Sequence, residues 1–269
     1  MKIVVLGSGV QGTLYGVRLA RAGHDVTLIA RGGRGAELSD RGAAISNALT
    51  NRTDVVQLRV IERLTRDTVA DLCLICVRRE QLDDALPDLV VATRVARFVM
   101  VNHANGSDSL YEALSRQRVV LGFPGAAGAI EDGVDRYVEV SEQATAIEAR
   151  APDVAAIIRS AGFRVELVPD MDSWLRRHAI FVTAIAGALY EVDGDPIRLA
   201  SDSALVRTFI IAACSAAAAR DLPLGSACVR DRVLAPTLAI VSRGTLLCAP
   251  HASRTAGDGR ARGRRAFPH

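Results

Sequence analysis

The chain has 269 residues, of which 49% are hydrophobic and 23% charged, with a formal net charge of +3. That composition excludes a disordered or disulfide-dense chain and is enough for one large domain or two modest ones. So small a positive excess gives no argument for a nucleic-acid partner.

Lys2–Leu6 is a continuous apolar run and reads as a strand buried on both faces. It starts at the first residues, so no signal peptide is expected. Gly7-Ser8-Gly9-Val10-Gln11-Gly12 follows directly, and Val10–Ala22 has helical spacing, closed by Gly23. Val26–Ala30 is a second strand, completing a β-α-β unit.

Strand and helix then alternate. Strands are expected at 55–61, 72–77, 98–101 and 118–121, and helices at 81–91 and 107–115. A glycine-rich segment, 122–133, interrupts the pattern. Closing strands are expected at 136–140 and 164–168, with a helix at 152–161. Such alternation predicts an α/β fold, a parallel sheet with helices on both faces.

From Met171 the texture changes. Residues 172–191 and 203–220 are helical in period, which predicts a smaller all-helical part after a boundary near Pro169. The expected organisation is therefore 1–169, 170–244 and a low-complexity basic tail, 245–269. The tail reads either as a nucleic-acid or anionic-surface contact or as a disordered terminus; the second reading is favoured, and no nucleic acid is expected. A shortened helical part would leave apolar surface that favours a homodimer or instability. The longest apolar stretch, 179–190, falls short of the roughly 20 residues that a membrane span needs, so no membrane contact is expected.

The five cysteines are an odd number, which suits a reducing cytoplasm. Cys73 and Cys76 resemble a redox pair, but three positions apart on a strand they face opposite sides and read as core thiols. No metal site is expected. Lys2 is the only lysine, so no mechanism can use one elsewhere.

The glycine pattern lies between a buried strand and a helix, the context that gives it meaning. Gly7 permits the turn, Gly9 lets backbone approach a pyrophosphate, and Gly12 lets the helix pack on the strand. Val10 and Gln11 open the helix, whose free N–H groups favour phosphate. The second strand ends Ile29-Ala30-Arg31 without a carboxylate for a ribose hydroxyl. Arg31 suits a 2′-phosphate instead, so NADP(H) is the expected cofactor. Arg78 and Asn105-Gly106 follow two further strands and are placed to line the same cleft, or to serve as turns. Trp174 and His178 share a helix face at i,i+4, and Arg176 points about 200° away from Trp174. His178 is a candidate proton donor near neutral pH and Arg176 a candidate carboxylate ligand; both also fit plain packing and solvation.

These residues make the chain resemble the ketopantoate reductase (2-dehydropantoate 2-reductase) family over residues 1 to about 220. The carrying features are Gly7-Ser-Gly9-Val-Gln-Gly12, Ala30-Arg31, Val77-Arg78-Arg-Glu-Gln81, Asn105-Gly106 and Trp174-Leu-Arg176. The resemblance implies a Rossmann domain with a helical second domain and NADPH-dependent reduction of a 2-oxo acid in pantothenate synthesis. It implies Gly7, Gly9, Gly12 and Arg31 as cofactor contacts and Asn105 beside nicotinamide and substrate. The family's catalytic lysine, two residues after the Trp, is here Arg176. Its cleft lysine is Arg78, and its helix asparagines are Ile180 and Ala184. Arg176 or His178 is then expected to stabilise the alkoxide formed by hydride transfer. The alternative is a catalytically impaired NADP-binding or sensor protein of the same fold.

Overall fold

β1, Lys2–Leu6, buries Ile3 and Val5 in one apolar cluster and Val4 and Leu6 in another. A strand covered on both faces has to divide its side chains in this way. The structure is a computed structural model and describes residues 1–101, 107–139 and 143–220. After β1 come α1 (Val10–Arg21), β2 (Asp25–Ile29), α2 (Gly32–Arg41), β3 (Ala43–Asn47), β4 (Thr53–Val56) and β5 (Arg59–Ile61). Then follow β6 (Ala70–Ile75), α3 (Arg79–Val91), β7 (Val95–Val101), α4 (Ser107–Leu114), β8 (Val119–Phe123), β9 (Ala126–Glu131) and β10 (Val134–Glu139). The described chain ends with β11 (Thr145–Glu148), α5 (Pro152–Ser160), β12 (Val165–Val168), α6 (Met171–Tyr190), α7 (Pro196–Ser201) and α8 (Ser203–Ala218).

The main sheet has the order β12-β11-β8-β7-β6-β1-β2-β5. From β5 to β8 every pairing is parallel, and the order is that of a doubly wound dinucleotide-binding sheet. β11 joins β8 antiparallel, and β12 extends it parallel to β11. On one face α1 and α5 cover the sheet through Leu14, Tyr15, Val17, Leu19, Val154 and Ile158. The four α1 side chains are fully buried, each contributing about 1.5–3 kcal/mol over an exposed position. On the other face Leu82, Leu89, Leu110, Leu114 and the start of α6, Met171 and Leu175, pack on Val4, Leu6, Cys73 and Ile75. Cys73 and Cys76 belong to opposite faces, as read from their spacing, and burial pushes the Cys76 thiol up to about 12.

A second sheet, β4-β3-β10-β9, was not expected. It corrects two sequence readings. The single strand at 55–61 is two strands: β4 belongs to the second sheet and β5 edges the main one. The run at 136–140 does not close the main sheet either. Its described part lies in β10, which pairs with β9 across Asp132-Gly133 in the register Val134↔Glu131. Both turn residues have positive φ, 50° and 80°, the geometry that suits a two-residue hairpin. β9 also occupies part of the glycine-rich segment. The second sheet is fastened to α1 by Gln11 Nε2 donating to the Ala126 carbonyl at 2.6 Å and by Arg18 donating to Glu139 at 2.7 and 2.8 Å.

α6, α7 and α8 share a separate apolar cluster around Ala188, Val192, Leu199 and Phe209. Asp195 and Asp202 cap α7 and α8 by accepting backbone N–H bonds. Among the described residues no helix is long and apolar enough to cross a membrane, and no cluster of ligating side chains could hold a metal. Residues 221–244 of the expected helical part and the whole basic tail lie outside the described residues.

Candidate active site

Ligands of open α/β sheets bind beyond the carboxyl ends of the strands, where the strand order reverses. Here that place lies between β1 and β6. Gly7 ends β1 at φ +105°, and a Cβ there would sit 3.0 Å from the Cys76 carbonyl carbon and oxygen. A Cβ on Gly12 would overlap the Gly7 carbonyl oxygen, so α1 closes on the turn only with glycine at that position. Gly9 is different: it is exposed, and a Cβ there would meet nothing within 4 Å. It caps α1 with no side-chain hydrogen bond, and the first turn carries no acidic residue. Open space in front of uncapped helix N–H groups is the cradle that a pyrophosphate fills, and the residues present fit a dinucleotide.

The side chains of Val10 and Gln11 turn away from this space. Val10 packs against the main core and Gln11 reaches β9, so only their backbone groups face the cradle's helix end. Arg31 stands just past β2 as the cap of α2 and is exposed. It makes no ion pair among the described residues, and no carboxylate adjoins it at 29–36. Arg34, one turn on, is committed. It donates to the Ser8 carbonyl at 3.3 Å, the Gly133 carbonyl at 3.1 Å, Glu37 at 2.9 Å and Asp135 at 2.5 Å. Asp135 is fully buried, and that burial pushes its carboxyl up to about 6 against the pull of Arg34. Sequence reading missed this pair: Arg34 and Asp135 are 101 positions apart.

Arg78 follows β6 and caps α3, where Gln81 accepts its backbone N–H at 3.1 Å. Its guanidinium meets Glu80 at 2.8 Å, an exposed pair of little energetic consequence. Asn105, read as a site residue, lies outside the described residues.

α6 divides the remaining candidates between two faces. Trp174 and His178 stack at 5.0 Å with 5° between planes, and Phe123, at the end of β8, meets His178 at 4.2 Å. Phe123 was not singled out from sequence; its place at a strand end was the available signal. Burial lowers His178 to about 4, so its ring is uncharged near pH 7. Arg176 is exposed on another face, where it lines a groove of about 670 Å³ with Ile180, Thr183, Ala184, Ala213 and Arg220. Arg176 and His178 therefore do not converge on one point of α6.

The family described as ketopantoate reductase PanE/ApbA matches residues 3–151. The 2-dehydropantoate 2-reductase of Pyrococcus horikoshii is 26% identical over 221 residues, which cover 74% of this chain and 67% of that protein. Among solved structures, D-mandelate dehydrogenase with NADH and anilino(oxo)acetate superposes with a TM-score of 0.74 at 16% identity, covering 93% of this chain and 83% of the other. The 2-dehydropantoate 2-reductase of Geobacter metallireducens GS-15 gives 0.74 at 17% identity, covering 89% and 83%. At such identities these structures show the fold, which the strand order and the glycine turn already describe. With more than half of its length matched, the chain belongs to the ketopantoate reductase PanE/ApbA family, oxidoreductases acting on the carbonyl of 2-oxo acids.

Proposed function

We propose that the protein is an NADPH-dependent reductase of a 2-oxo acid. One observation carries the cofactor choice: Arg31, just past the end of β2, is exposed and makes no ion pair among the described residues, and no carboxylate stands at 29–36 to bind a ribose hydroxyl. A planar guanidinium matches a 2′-phosphate in charge and in donor geometry. Gly7, Gly9, Gly12 and the backbone of Val10 and Gln11 hold the pyrophosphate, and Arg78 stands at the cleft mouth. When bound, the reduced nicotinamide supplies a hydride.

Arg176 is an exposed cation on α6. Its role is to hold the substrate carboxylate or to polarise the carbonyl as negative charge develops on oxygen. His178, uncharged near pH 7, seats α6 against Phe123 and is not a cationic proton source. Asn105 completes the proposed site beside nicotinamide and substrate. The division near Pro169 belongs to the same reading: β12 ends at Val168, α6 starts at Met171, and α6–α8 have an apolar cluster of their own. The free thiols of Cys73, Cys76 and Cys214 suit a cytoplasmic enzyme.

The test is NADPH oxidation with a panel of 2-oxo acids by the wild type and by Arg176→Ala. The variant is expected to lose about 10²-fold or more in kcat/KM while its NADPH affinity is unchanged. Equal turnover by the two proteins contradicts the role of Arg176. Tight NADPH binding without oxidation by any acid supports the alternative, a binding or sensor protein.

A further inference from the structure

Arg34 of α2 links the glycine turn to the second sheet. Arg34 comes from α2, yet its Nε donates to the Ser8 carbonyl inside the turn, at 3.3 Å. The Thr13 hydroxyl donates to the same oxygen at 3.4 Å. The Arg34 side chain is only 18% exposed, and its other end is anchored outside the turn: Nη2 to Asp135 Oδ2 at 2.5 Å, Nη1 to the Gly133 carbonyl at 3.1 Å and to Glu37 at 2.9 Å. Asp135 has no exposed surface and sits in β10, paired to β3 and β9. The anchor is therefore a rigid element, not a loop.

The consequence follows from the geometry of the peptide. In a trans peptide the C=O of one residue and the N–H of the next point in opposite directions. Holding the Ser8 carbonyl toward Arg34 and Thr13 aims the Gly9 N–H the other way. That N–H has no hydrogen-bond partner among the described residues, and Gly9 borders open space. An oriented, unpaired backbone N–H next to a helix N-terminus is an anion donor.

We propose that Arg34, held by the buried Asp135, is a positioning residue that aims the Ser8–Gly9 peptide at the cofactor pyrophosphate. It acts through backbone and does not touch the 2′-phosphate, which falls to Arg31. The proposal rests on the dinucleotide site described above, and in it the second sheet buttresses the phosphate turn.

Because a pyrophosphate is common to both cofactors, the two arginines separate in one experiment. NADPH and NADH are titrated by ligand fluorescence into wild type and Arg34→Ala, and amide exchange of residues 7–12 is followed in the ligand-free proteins. Arg34→Ala is expected to weaken both cofactors alike, by about tenfold, and to speed exchange at Gly9 and its neighbours. Loss of NADPH affinity alone would make Arg34 a second 2′-phosphate ligand and overturn the positioning role. Unchanged affinities or unchanged exchange in a folded variant overturn it as well. If Arg34→Ala does not fold, Asp135→Asn takes its place, with the same equal loss expected at a smaller factor and the same contrary results. If the wild type binds neither cofactor, the dinucleotide reading fails, and exchange at residues 7–12 still decides whether Arg34 orders the turn.

Discussion

The His178 ring lies parallel to the indole of Trp174, 5.0 Å away, and closes on Phe123 at 4.2 Å. This cage links stability to pH. Its folded value of about 4 lies below the ordinary 6.5, so between those values the unfolded chain binds more protons. The His178 contribution is intact above pH 6.5 and is lost as the pH falls toward 4, by an amount on the order of 3 kcal/mol. His178→Phe should lose less stability than wild type in urea unfolding between pH 7 and 4.5. The same acid slope in both proteins would show that the ring is not desolvated.

Asp135 works in the opposite sense. Its folded value of about 6 lies above the ordinary 3.8, so the folded protein binds the extra proton between them. From this group, stability rises as the pH falls from 6 to 4. The two groups oppose each other across that window, so in wild type Asp135 offsets part of the loss that His178 brings. Asp135→Asn is expected to steepen the loss on acidification. A variant with the wild-type slope would remove Asp135 as a titrating group in this range.

Two glycines of one turn should fail in different ways. Gly12→Ala puts a Cβ onto the Gly7 carbonyl oxygen, so it should cost about 1–3 kcal/mol or more of stability along with cofactor binding. Gly9→Ala meets nothing within 4 Å and should melt close to wild type while losing cofactor affinity. Thermal melts beside an NADPH titration check this. A Gly9→Ala protein that binds as wild type would mean that the phosphates do not approach there.

The β1-α1-β2 unit was legible because each signal is local: an apolar run, a glycine turn and a helical period within Lys2–Ile29. The second sheet was not. α2 opens with Gly32-Gly33-Arg34-Gly35, which has poor intrinsic helix propensity and is held by the packing of Leu38. β3 pairs with β10 through Ile45↔Asp135, a partnership across 90 positions that no local pattern encodes. Asp132-Gly133 between two strands was a readable hairpin signal. The glycine turn after β1 and the position of Arg31 after β2 could be read from spacing alone. The separation of Arg176 from His178 was visible in the helical angle, whereas the desolvation of His178 depends on Phe123, brought in from β8.

The most direct test of an NADP(H) site is a parallel titration of wild type and Arg31→Ala with NADPH and NADH. Wild type is expected to bind NADPH more tightly than NADH, and Arg31→Ala to lose NADPH affinity while keeping its affinity for NADH. Equal affinity of wild type for the two cofactors, or an equal loss of both in the variant, would contradict the assignment of Arg31 to a 2′-phosphate.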